Sequence, residues 1–121
     1  VQRATSMDTY ITDNFPNATI KRYGTADAAY LDLKAGRVDY VMADSAAISD
    51  GLLKKEGGDA FEFVGPKLTD PKWFGEGAGI AVRKADKDLK EKFNAAILAL
   101  RANGKYKEIN DKYFDFDVYG E

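Results

Sequence analysis

Residues 25–45, TADAAYLDLKAGRVDYVMADS, decide the reading of this chain. Thr25 is a helix-capping residue, and Ala28, Ala29, Leu31 and Leu33 behind it recur as an inner helical face. Gly36 supplies the stop that a C-terminal cap favours. The run Val38-Asp39-Tyr40-Val41-Met42-Ala43 is short, apolar and β-branched, as expected of a buried strand over 37–43. Asp44-Ser45 then opens another helix, expected over 45–55 and ended by Gly57-Gly58. Helix, strand and helix in this order are the signature of parallel pairing through crossover connections.

The same alternation extends outward. Residues 1–5 read as the end of a strand and 6–15 as a helix with Met7, Tyr10, Ile11 and Phe15 on one face, closed by Pro16-Asn17. Residues 18–23, 61–64 and 80–83 read as further short strands. Asp70-Pro71 and the glycines at 75, 77 and 79 mark a flexible crossing. The longest helix is expected over 86–103, with Leu89, Phe93, Ala96, Ile97 and Leu100 on one face. A last helix over 106–114 precedes an acidic, aromatic tail at 115–121. The expected fold is therefore α/β: an open, mostly parallel sheet with helices on both faces.

Composition removes much chemistry. The 121 residues hold no cysteine and no histidine, so thiol, Ser-His-Asp and histidine-metal machinery are excluded. Eighteen Lys+Arg against twenty Asp+Glu leave a net charge of −2, which gives no field for nucleic acid or anionic lipid. No apolar run is long enough to span a bilayer. The chain opens at Val1 without a methionine, from which removal of upstream residues is expected.

Ligands of open parallel sheets bind beyond the carboxyl ends of strands. At Ala4-Thr5-Ser6-Met7, hydroxyls and helix-start N–H groups make a seat for a carboxylate or phosphate, or else Thr5 or Ser6 is simply an N-cap. At Ala43-Asp44-Ser45, the carboxylate either binds an ammonium group or caps the next helix. An anion seat beside a cation seat matches a zwitterion, provided that the two strands are neighbours. Other features read as structural. Gly75-Glu76-Gly77-Ala78-Gly79 leads into a strand, the reverse of a nucleotide loop. Asp115 and Asp117 lack a third ligand and a glycine turn. Lys84, Lys87, Lys90 and Lys92 make a solvated face, and Trp73-Phe74 read as hinge packing.

ADAAYLDLKAGRVDYVMAD at 26–44, FVGPKL at 63–68, the run 77–114 and DFDVYG at 115–120 resemble, in this order, the second lobe and C-terminal return of bacterial periplasmic amino-acid-binding proteins of ABC transporters (solute-binding protein family 3). The likeness is to the lysine/arginine/ornithine- and histidine-binding branch. It implies a type II periplasmic-binding-protein lobe at 1–70, a hinge at 71–78 and a C-terminal segment of the first lobe at 79–121, most of that first lobe being absent.

By the same resemblance, Thr5 and Ser6 take the ligand α-carboxylate, Asp44 takes the α-ammonium, and Gln2 and Met7 make side-chain contacts. A periplasmic carrier of a basic L-amino acid (arginine, lysine or ornithine) that delivers to a membrane permease is implied, without catalysis, cofactor or metal. A dehydratase on the same scaffold, a sensor domain and an opine ligand are the alternatives; the end at Gly120-Glu121 favours a free-standing protein over a sensor. Pairing of two copies through the exposed first-lobe segment is a further expectation.

Overall fold

A computed structural model describes residues 1–119. Gly120 and Glu121, the end of the tail expected over 115–121, lie outside the described residues. The chain divides into two compact units, Val1–Glu76 and a second beginning at Gly77.

The first unit starts with Val1–Arg3 lying parallel to the chain around Tyr23. Gln2 and Tyr23 form the bridge, with Tyr23 N–H donating to Val1 O (3.0 Å) and Arg3 N–H to Tyr23 O (2.9 Å). Helix α1 (Ser6–Asn14) follows from a Thr5 cap. Helix α2 (Ala26–Lys34) begins where the Thr25 hydroxyl accepts the Ala28 N–H, and Gly36 after it takes φ +66°. Helix α3 (Ser45–Ile48) passes directly into a π-helical turn, Ser49–Leu53. A 3-10 turn (Gly58–Ala60) and helix α4 (Pro71–Phe74) complete the unit.

The expected parallel sheet is not formed. Among the described residues the Gln2–Tyr23 bridge stands isolated, and 37–43, 61–64 and 80–83 carry no ladder. A parallel strand exists only where a neighbour completes its ladder, and 37–43 forms none with 18–23 although α2 connects the two. Propensity makes a segment eligible for a sheet, but the partner makes it a strand.

The core is correspondingly small. Val1, Ala29, Tyr30 and Leu52 are its buried apolar side chains. Tyr30 turns inward where Leu31 was expected, and Leu31 is 64% exposed. The Tyr30 ring fills the space that Gly51 leaves, since a Cβ on Gly51 would stand 2.7 Å from Tyr30 Cε2. Trp73 and Phe74, expected at a crossing, belong to this unit and pack around the Tyr10 ring, at centroid distances of 5.7 and 5.2 Å.

The Tyr30 hydroxyl is buried without a hydrogen-bond partner among the described residues. Burial pushes this phenol up, and the Asp27 and Asp44 carboxylates add to the effect. An unmet buried hydroxyl costs about 1–3 kcal/mol. Tyr30→Phe in the full-length protein is therefore expected to hold or raise stability, by up to about 1 kcal/mol. A clear fall in the urea midpoint would mean that the hydroxyl has a partner.

In the second unit, α5 (Lys87–Ala102) packs with α6 (Lys105–Tyr113). Asn110 is buried and holds the tail. Its Nδ2 donates to Phe116 O (2.8 Å), and its Oδ1 accepts from Val118 N–H (3.1 Å). The Tyr119 ring lies edge-on to Tyr106 and under the Arg101 guanidinium, 3.6 Å away. Of the expected apolar face of α5, Leu89, Phe93, Ala96 and Leu100 remain exposed and Ile97 is half-buried.

Candidate functional site

The first junction is a tight turn. Ala4 has φ +59°, a left-handed conformation that side chains other than glycine rarely take, and Thr5 returns to extended backbone. The Thr5 hydroxyl donates to Gln2 O (2.8 Å) and accepts from Asp8 N–H (3.3 Å). It is thus the N-cap of α1, and its proton is committed to Gln2. What remains open is backbone: the N–H groups of Thr5, Ser6 and Met7 have no acceptor among the described residues. Such groups at a helix start suit an anion. Ser6 is exposed, and its hydroxyl reaches only the Met7 Sδ at 3.3 Å, a weak acceptor that a carboxylate displaces readily. Gln2 and Met7 are half-buried.

At the second junction Asp44 is exposed and caps α3. Its Oδ1 accepts from Ala46 N–H (2.9 Å) and Ala47 N–H (3.3 Å). Its Oδ2 has no partner among the described residues. Capping and ligand binding therefore do not compete for the same oxygen.

The two junctions are not joined directly. Helices α1 and α3 do not pack together, and no hydrogen bond links Asp44 to residues 5–7 among the described residues. The segment hydrogen-bonded beside Gln2 is the one at Tyr23, not 37–43.

Asp8 escaped the sequence reading. It accepts the Ala4 N–H through Oδ2 (3.2 Å) and the Arg22 Nε through Oδ1 (2.8 Å). Burial acts to raise its carboxyl, but the bonds from Ala4, Arg22 and Thr12 outweigh it and hold the group below the usual range. The spacing Thr5-x-x-Asp8 was the available signal, since a cap followed by an acid three residues later marks a self-bonded helix start.

The remaining motifs keep local roles. Gly75 (φ +70°) and Gly77 (φ +117°) form turns after α4. Asp117 accepts the Tyr119 N–H, and no metal-holding cluster occurs among the described residues. No helix among these residues is long and apolar enough to cross a membrane.

Comparison with known proteins matches residues 15–116 to the family described as bacterial extracellular solute-binding proteins, family 3. The chain is 56% identical to the L-arginine-binding protein of Pseudomonas aeruginosa, covering 99% of this chain and 47% of that protein. It is 44% identical to the lysine/arginine/ornithine-binding periplasmic protein of Escherichia coli, over 82% of this chain and 38% of the relative. Identity to the Escherichia coli histidine-binding periplasmic protein is 40%, over 99% of the chain and 47% of the relative. The chain thus spans about half the length of the curated relatives it matches. The family implies the type II periplasmic-binding-protein fold, of which this chain forms a partial, largely helical piece. With a match running from the end of α1 into the tail, the chain belongs to the bacterial extracellular solute-binding proteins, family 3.

Proposed function

We propose that the full-length protein carrying this chain binds a basic L-amino acid, arginine foremost, and delivers it to an ABC-transporter permease in the periplasm. Residues 1–70 supply most of the second lobe, 71–78 the crossing, and 79–121 the return into the first lobe. The observation that carries the reading is the likeness to relatives named for arginine and for lysine/arginine/ornithine, over 99% and 82% of this chain. The expected side-by-side zwitterion seat is not formed, and the two junctions enter as separate candidate contacts. Unpartnered N–H donors at 5–7 suit an α-carboxylate, and the open Oδ2 of Asp44 suits an α-ammonium. The preference for a cationic side chain is supported by the names of the relatives. The reading is non-catalytic, in keeping with relatives that are solute-binding proteins. Gln2 and Met7 are the proposed contacts with the rest of the ligand.

Calorimetric titration of the full-length protein with L-arginine, L-lysine, L-ornithine, L-histidine, L-glutamine and an opine tests this. Tightest binding of L-arginine is expected. Absence of binding to all six, or chemical turnover of any, overturns the proposal; an opine bound tightest would reassign the ligand.

A further inference from the structure

An acid in the first turn of α1 opposes an anion at the same helix start, and the structure pairs that acid off. Asp8 lies with its side chain 13% exposed, and its Oδ2 is bonded to the Ala4 N–H, one residue before the open donors. Its other oxygen takes the Arg22 Nε at 2.8 Å. The same guanidinium donates to Thr12 Oγ1 (2.7 Å), and Thr12 Oγ1 donates in turn to the Asp8 carbonyl (2.7 Å). Arg22 stands next to Tyr23, the residue bridged to Gln2, so the counter-charge comes from across the parallel pair. One guanidinium therefore neutralises Asp8, grips the second turn of α1 and ties the helix to the chain beside it.

We propose that Arg22 is a positioning residue of the carboxylate seat: by pairing with Asp8 it keeps the open N–H groups of Thr5, Ser6 and Met7 receptive to a ligand carboxylate. This rests on the reading that those groups take the α-carboxylate. Without Arg22, an uncompensated negative charge sits one peptide away from the ligand anion, and like charges at that range repel. The strained Ala4 turn also keeps its bond to Asp8 in that case, so the loss is electrostatic before it is conformational.

The test uses the full-length protein with L-arginine and with L-argininamide, which keeps the ammonium and guanidinium but lacks the carboxylate. Arg22→Gln is expected to weaken L-arginine about tenfold and to leave L-argininamide nearly unchanged. Arg22→Lys is expected to keep most of the affinity. The double variant Asp8→Asn/Arg22→Gln is expected to regain most of it, because the repelling charge is gone. Unchanged L-arginine affinity in Arg22→Gln overturns the inference while leaving the seat intact. Equal loss for both probes, without recovery in the double variant, overturns it as well and makes the pair a fold contact. If the unaltered protein binds the two probes equally, the carboxylate seat itself falls, and the inference with it.

Discussion

Asp44→Asn in the full-length protein is expected to weaken L-arginine binding by about 2–5 kcal/mol while leaving its ligand-free melting temperature nearly unchanged. Asparagine caps helices as well as aspartate does, so the bonds from the Ala46 and Ala47 N–H groups survive the change. What is lost is the charge on the open Oδ2. An ammonium group enclosed by a closing protein would then keep its desolvation cost without a counter-charge. Calorimetry on the variant, paired with a melt, separates the two roles. Unchanged affinity would reduce Asp44 to a helix cap; lost affinity with a lowered melting temperature would point to damage at α3.

The second large effect concerns Gly58. A Cβ at this position would stand 2.3 Å from the carbonyl oxygens of both Leu52 and Leu53. Those are backbone atoms at the end of the π-helical turn, and Leu52 beside them is 3% exposed. No side-chain rotation relieves such a clash, so the turn itself must move. Gly58→Ala is expected to cost about 3 kcal/mol or more, the upper range of overpacking. Gly57→Ala is the control: its φ of +72° imposes backbone strain, yet nothing lies within 4 Å of its Cβ position. That variant should lose only about 1–2 kcal/mol. Urea unfolding of both variants in the full-length protein decides the matter, and a Gly58→Ala midpoint no lower than that of Gly57→Ala would contradict the packing argument.

Helices α1, α2, α5 and α6 are legible because their signals are local. Thr25 caps α2, and α5 and α6 lie within a residue or so of their expected ends, since capping and spacing act over one or two turns. The junction residues Thr5 and Asp44 were found for the same reason, each being the last residue before a helix. Whether either was a cap or a ligand group was undecided by spacing. The structure adds that the Thr5 hydroxyl is spent on Gln2 and Asp8, whereas Asp44 retains one open oxygen.

Sequence alone determined helices α1, α2, α5 and α6, the exclusion of histidine and cysteine chemistry, and the resemblance that the family match then bore out. By contrast, α4 reads as a turn, and the helix expected over 45–55 is α-helical only to Ile48. Tertiary structure decided which apolar residues go inside and which acids are neutralised. Tyr30 displaces Leu31 from the interior because Gly51, twenty-one residues further on, leaves room for a ring. Asp8 meets its cation fourteen residues away at Arg22, a pairing no periodicity announces. The extended segments fail to become strands for the same physical reason: a helix satisfies its own backbone, whereas a strand needs another stretch of chain to do so.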